Sequence, residues 1–232
     1  MQKNPFKIAF FELEQWEKEY FSKNLKNCQL KFIDDHLNEN TVAEIKDFET
    51  IGIFIYSVVD KKLLEKLPNL KLIVTLSTGF DHIDLRECRN RKITICNVPH
   101  YGENTVAEHT FALILNLTRM IHKAYERTTR GDFSLDGLRG TDLQGKTIGV
   151  VGTGSIGQHV IRIAKGFEMN VAAFDKFPNP KLAKNLGFKY VGFDHLLKNS
   201  DIITLHVPCY KSTHHLISKK TISQMKLVNT NQ

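Results

Sequence analysis

No apolar run in the sequence is long enough to cross a bilayer; the longest, such as residues 51–56, are strand-sized. Residues 1–5 lead straight into a strand-like stretch at 6–11 rather than into the apolar core of a signal peptide. A soluble, cytoplasmic chain with no membrane partner is therefore expected. Cysteine is scarce, with Cys28, Cys88, Cys96 and Cys209 at spacings that fit neither a zinc site nor a CxxC redox pair. No metal is expected. Three of the four lie in or beside apolar runs, which predicts buried free thiols. A basic stripe interleaved with aromatics is also missing, although the formal net charge is +7. The Lys and Arg residues are dispersed, with only pairs such as Lys61-Lys62 and Lys219-Lys220. That pattern reads as a solvated basic surface, mildly attractive to anionic metabolites, and no nucleic-acid partner is expected. There is no repeat of fixed period and no low-complexity tract.

What the chain does have is apolar content, 41% of 232 residues, enough for a core without metal or disulfide staples. Residues 1–100 alternate strand and helix signals. Strands are expected at 6–11, 29–33, 51–56, 70–76 and 93–98, with helical stretches at 13–25, 41–47 and 63–67. The first helix shows Leu13, Trp16, Tyr20, Phe21 and Leu25 on one face. The middle strands are apolar on both faces, the pattern of parallel strands covered by helices on both sides. A small doubly wound α/β domain follows from this. Pro99 closes it.

A second series fills residues 101–232. Thr105 and Glu108 are spaced as a capping box for a long helix with Val106, Thr110, Leu113, Leu117, Met120, Ile121 and Ala124 on one face. That face suits an interdomain or subunit surface, and plain core packing explains it equally well. Residues 131–145 read as a loop. Strands are expected at 147–151, 170–174, 188–191 and 202–206, and helices at 155–167, 180–186, 193–198 and 218–226.

The strongest local signal is Gly152-Thr153-Gly154-Ser155-Ile156-Gly157, which follows a strand and opens a helix. Gly152 permits the tight turn, Gly154 clears the approach of a pyrophosphate, and Gly157 allows close helix–strand packing. The helix N-terminus offers free amides and a positive dipole to phosphates. Asp175 ends the next strand, 18 positions after Gly157. A carboxylate there accepts hydrogen bonds from both hydroxyls of an adenosine ribose and repels a 2′-phosphate, so NAD is expected over NADP. Lys176 softens that preference. A Gly-rich turn followed by a chance Asp is the alternative. Two further strand ends stand out, residues 77–84 and 205–208, because ligands of open α/β sheets bind at such ends. Read alone, residues 77–84 are more often a helix-initiating turn, and a lone histidine such as His206 is usually structural.

Together these segments resemble the D-isomer-specific 2-hydroxyacid dehydrogenases, in order and over essentially the whole chain. Residues 77–84 are similar to the family's substrate-carboxylate loop. Asn97-Val98-Pro99 and residues 104–110 resemble its hinge and first cofactor-domain helix. Residues 142–149 lead into the glycine fingerprint, and residues 201–208 match the strand beside the nicotinamide. Glu12-Leu13 through Trp16 and the loop at 133–140 are closest to the D-lactate dehydrogenase branch.

The resemblance implies a flavodoxin-like substrate domain, residues 1–100, followed by an NAD-binding Rossmann domain, residues 101–232, incomplete at its C-terminus. It implies hydride transfer between NADH and a small 2-keto acid. Gly152, Gly154, Ser155, Ile156 and Gly157 would serve the pyrophosphate and Asp175 the ribose. His206, Val207, Pro208 and Thr213 would line the nicotinamide end. Thr78 and Gly79 would offer amides to the substrate carboxylate, with Tyr101 nearby. The family's Arg, Glu and His lie beyond a Met-Lys…Asn-Thr segment. Here that segment is Met225-Lys226-Leu227-Val228-Asn229-Thr230, followed by Asn231-Gln232, and none of the three is matched. A truncated chain, inactive alone, and a homodimer at full length are expected. An NAD-binding corepressor-like scaffold and a decayed pseudoenzyme are the alternatives.

Overall fold

The computed structural model describes residues 5–227. The chain divides into two compact units, Met1–Tyr101 and Gly102–Gln232.

The first unit holds β1 (Phe6–Phe11), α1 (Gln15–Asn24), β2 (Cys28–Ile33), a 3₁₀ turn (Thr41–Ile45), β3 (Thr50–Ile53), α2 (Lys61–Glu65), β4 (Leu72–Thr75), α3 (Leu85–Asn90) and β5 (Thr94–Cys96). All pairs are parallel, in the order β2-β1-β3-β4-β5, the flavodoxin-like winding. β3 is buried along its whole length, as its two-faced apolar pattern demands. Asp60 and Asp84 cap α2 and α3, accepting from Leu63 N–H and Glu87 N–H at 2.9 Å each. The helix-initiating reading of residues 77–84 is thus realised at their last residue. α1 departs from expectation: Trp16 and Tyr20 are exposed, while Leu13 is buried and Phe21 and Leu25 pack beside it. Phe21 stacks on Phe10 with ring centroids 4.3 Å apart.

The second unit holds α4 (Glu103–Thr118), α5 (Ile121–Thr128), β6 (Thr147–Val151), α6 (Ser155–Gly166), β7 (Asn170–Phe174), α7 (Pro180–Leu186), β8 (Lys189–Tyr190), α8 (Phe193–Asn199), β9 (Ile202–Leu205) and α9 (Lys219–Ile222). Its parallel sheet runs β8-β7-β6-β9, the first four strands of the Rossmann order 3-2-1-4-5-6. α7 is punctuated as its sequence dictates, with Asn179 as cap, Pro180 in the first turn and Gly187 left-handed after the last.

Several expectations need correction. α4 starts at Glu103 behind Gly102, so Thr105 lies inside the first turn and does not cap the helix. The face buried against α6 is Ala107, Phe111 and Ile114. Val106, Leu113 and Leu117 are exposed. The long helix also breaks at Met120, whose backbone is left-handed with φ 54°, giving two helices. The thiols are mostly not buried: Cys88 is, Cys28 is half-buried, and Cys96 and Cys209 are exposed. Cys96 ends the edge strand β5 and Cys209 follows β9, so neither has a covering layer. α9 is far shorter than the expected 218–226. Residues 228–232, which include the second half of the Met-Lys…Asn-Thr segment, lie outside the described residues. Among the described residues no helix is long and apolar enough to cross a membrane.

Candidate functional site

In an open parallel sheet a crevice forms where the winding reverses, outside the carboxyl ends of the strands. In the second unit that point lies between β6 and β9. The glycine turn follows β6, and His206 follows β9. Gly152 has φ +94°, and a Cβ there would sit 2.4 Å from the His206 carbonyl oxygen. Only glycine lets these two strand ends converge. Its N–H donates to the Phe174 carbonyl at 2.8 Å, tying the turn to β7. A Cβ on Gly157 would sit 2.1 Å from the Gly152 carbonyl oxygen, so α6 lies directly on the turn. Gly154 differs: a Cβ there would meet nothing within 4 Å. The turn is closed behind by Gly157 and open in front at Gly154. That is the shape a diphosphate needs to approach the first amides of α6. Ser155 is exposed at the start of α6, whereas the Ile156 side chain packs on the core, leaving its backbone as the polar group.

Asp175 stands at the end of β7. Its Oδ2 accepts from Thr153 N–H at 2.7 Å and from the Thr153 hydroxyl at 2.9 Å, and its Oδ1 from Phe177 N–H at 2.9 Å. Burial pushes this carboxyl up, and the three hydrogen bonds outweigh burial and hold it below the ordinary carboxylate value. Buried Thr153 also meets the Tyr190 hydroxyl at 2.8 Å. Sequence reasoning gave neither residue a role.

His206 Nε2 lies 2.8 Å from the Thr204 hydroxyl, and the His206 backbone N–H donates to the Val151 carbonyl at 2.7 Å. Burial lowers its pKa, favouring neutral imidazole. After Val207, Thr213 closes a turn: its hydroxyl donates to the Pro208 carbonyl and accepts from Tyr210 N–H at 2.8 Å. The turn at β6, Asp175 and residues 206–213 thus gather at the carboxyl ends of one sheet.

In the first unit, residues 77–79 follow β4. The Thr78 hydroxyl donates to the Val98 carbonyl at 3.0 Å, and Asn97 Nδ2 donates to the Thr78 carbonyl at 2.9 Å. The Ser77 hydroxyl donates to the Gly79 carbonyl at 2.7 Å and lies 2.6 Å from the Thr75 hydroxyl, itself 3.3 Å from His82 Nε2. These bonds occupy carbonyls and hydroxyls around Thr78 and Gly79. Tyr101 is exposed, and among the described residues no hydrogen bond joins it to Thr78 or Gly79.

Beneath the loop after β3 lies Glu12, with φ 62° at the end of β1. Its carboxylate accepts from Phe54 N–H at 3.1 Å, Tyr56 N–H at 2.8 Å and the Ser57 hydroxyl. Ser57 in turn accepts from buried Leu37 N–H at 2.9 Å. Glu12 therefore ties β1 to β3 where this sheet reverses its winding. Glu12→Ala strands the Ser57 hydroxyl and two amides. It is expected to cost the first unit about 2 kcal/mol, read as a lower urea midpoint. A loss below ~0.5 kcal/mol would show that the loop holds itself.

The model of the D-isomer specific 2-hydroxyacid dehydrogenase NAD binding domain matches residues 111–230. A 2-hydroxyacid dehydrogenase homolog of Haemophilus influenzae is 40% identical over 234 residues, covering 97% of this chain and 70% of the relative. The D-lactate dehydrogenase of Escherichia coli is 36% identical, covering 97% and 71%. The crystal structure of Aquifex aeolicus D-lactate dehydrogenase, complexed with NAD and lactic acid, superposes with a TM-score of 0.89 at 39% identity, covering 94% of this chain and 66% of that one. The chain belongs to the D-isomer-specific 2-hydroxyacid dehydrogenase family, whose members are NAD-dependent oxidoreductases, and NAD is its cofactor.

Proposed function

We propose that the protein serves the interconversion of pyruvate and D-lactate. The observation that carries this is the 39% identity and 0.89 TM-score to a D-lactate dehydrogenase complexed with lactic acid. The oxyacid is held in the first unit, where Thr78 and Gly79 offer backbone amides to its carboxylate and Tyr101 flanks it. In the second unit the amides of Ser155 and Ile156 meet the pyrophosphate, and Gly152, Gly154 and Gly157 give it room. Asp175 accepts from the adenosine ribose. His206, Val207, Pro208 and Thr213 border the nicotinamide, which when bound supplies or takes up the hydride. Residues 1–100 form the substrate domain and residues 101–232 the cofactor domain. The scaffold and pseudoenzyme alternatives are not favoured, because the matched relatives are dehydrogenases.

The Arg, Glu and His implied by the resemblance have no counterpart among these 232 residues. The test is therefore a chimera in which the corresponding last segment of the E. coli relative follows Met225. NADH oxidation is followed with pyruvate, glyoxylate and hydroxypyruvate. Pyruvate is expected to be used best, and the 232-residue polypeptide, as control, to stay at background. Preference for another keto acid would refute the D-lactate reading. In the same chimera Gly79→Val sets a branched side chain where the carboxylate approaches. It is expected to raise KM for pyruvate ~10-fold or more, through lost amide–carboxylate bonds, with NADH affinity unchanged. An unaltered KM places the substrate elsewhere.

A cytoplasmic homodimer completes the proposal. Four free cysteines suit a reducing compartment. Exposed Val106, Leu113 and Leu117 with Leu205 form an apolar strip on the second unit. Sedimentation of the chimera gives the oligomeric state, and a monomer would remove the dimer.

A further inference from the structure

Asp175 is held by a chain of hydroxyls whose direction is fixed by chemistry. A carboxylate only accepts, so the Thr153 hydroxyl must spend its single proton on Asp175 Oδ2, 2.9 Å away. The Tyr190 hydroxyl, 2.8 Å from the same Thr153 oxygen, must then be the donor. The order runs from Tyr190 O–H to Thr153 Oγ1 and from Thr153 O–H to Asp175 Oδ2. Each bond polarises the next toward the anion. Tyr190 itself is fixed: it sits on β8, paired to β7 at Ala173, with its ring packed edge-on to Phe188 at 5.0 Å between centroids.

The relay also sets what Asp175 has left to offer. A carboxylate has about four acceptor positions. Thr153 N–H and hydroxyl fill both on Oδ2, and Phe177 N–H fills one on Oδ1. One position on Oδ1 stays open, so the carboxylate has room for one ribose hydroxyl rather than the two expected from the sequence, and the ribose meets a single aimed acceptor on a fixed anion.

We propose that Tyr190 and Thr153 are positioning residues for cofactor selection: a hydroxyl relay from β8 through the glycine turn that locks Asp175 as an oriented anion and so enforces NADH over NADPH. The proposal rests on the reading that Asp175 meets the adenosine ribose.

The experiment measures NADH and NADPH dissociation constants of the full chain by fluorescence titration. It also follows the Asp175 carboxyl carbon resonance against pH. Tyr190→Phe keeps the ring and removes the donor. Thr153→Val removes the relay hydroxyl, and Thr153→Ser restores it. Tyr190→Phe and Thr153→Val are each expected to weaken NADH ~3–10-fold and NADPH less, lowering the preference. Both should move the Asp175 titration to higher pH, because donors that favoured the anion are gone. Thr153→Ser is expected to behave as the parent. The carboxyl titration reads the relay without any cofactor. If Tyr190→Phe changes neither preference nor titration while Asp175→Ala changes preference, the relay is overturned and the ribose reading stands. If Thr153→Ser behaves like Thr153→Val, the effect is packing and the relay is overturned. If Asp175→Ala leaves the preference unchanged, the ribose reading falls and the relay's role in selection falls with it.

Discussion

Gly157→Ala is expected to cost the second unit about 3 kcal/mol and to weaken NADH binding ~10²-fold. One methyl group does this because of where it lands, 2.1 Å from the Gly152 carbonyl oxygen and 3.0 Å from its carbon. Backbone cannot swing aside as a side-chain tip can, so α6 must lift from β6. Its buried residues Val160, Ile161 and Ala164 share one core with Ala107, Phe111 and Ile114 of α4, and the lift loosens that packing too. The first amides of α6 move with the helix, which is why binding falls alongside stability. Gly154→Ala separates the two effects. Its backbone, φ −65° and ψ −167°, suits any residue, and the added Cβ meets nothing within 4 Å. Stability should stay within ~0.5 kcal/mol of the parent, while NADH weakens ~10-fold or more because the methyl stands where the pyrophosphate approaches. Urea denaturation and NADH fluorescence give both quantities. Equal stability loss in the two variants, or none in Gly157→Ala, would refute the close-packing account.

The contrast between those glycines was half legible in the sequence. The fingerprint assigned each its task, and the bounds of β6 and α7 were readable because Gly152, Asn179-Pro180 and Gly187 punctuate them. The five-stranded first unit was readable from its two-faced apolar runs. What failed did so for physical reasons. α4 carries two apolar stripes, and only the approach of α6 decides that Ala107, Phe111 and Ile114 are buried rather than Val106, Leu113 and Leu117. Cys96 and Cys209 sit beside apolar residues in sequence but at an edge strand and a turn in space. The contacts of Glu12 and Tyr190 were invisible because their partners are tens of residues away. Glu12 reaches Ser57 only once β1 lies beside β3. Tyr190 reaches Thr153 only once β8 has joined β7. An acidic residue ending a strand, or a tyrosine on a two-residue strand, carries no periodic signal to announce such a contact.

Asp175→Ala tests the charge at the centre of the cofactor site and should nearly abolish the preference for NADH. Two opposite effects meet in one substitution. NADH loses a charge-assisted hydrogen bond from its ribose, a loss of ~10-fold or more. NADPH gains, because a carboxylate no longer faces its 2′-phosphate. Lys176, whose ammonium lies 5.6 Å from the Phe177 ring centroid, is left as the adjacent charge and attracts the phosphate. The ratio of the two dissociation constants is therefore expected to shift by ~10² in total. The pH dependence follows from the carboxyl being held below its ordinary value by Phe177 and Thr153 against the opposing push of burial. A depressed group stays charged as pH falls past the range where a free Asp, near 3.9, begins to protonate. The share of NADH affinity that Asp175 supplies should thus be level from neutral pH down through mild acid and fall only as pH passes below that ordinary value. The stability these three bonds lend has the same sign: fully present above the unfolded-state pKa, and lost as pH drops through the folded one. In Asp175→Ala this carboxyl contributes to neither dependence. A parent that binds NADH and NADPH equally, or an Asp175→Ala variant that keeps the parent's preference, would show that a different residue reads the ribose.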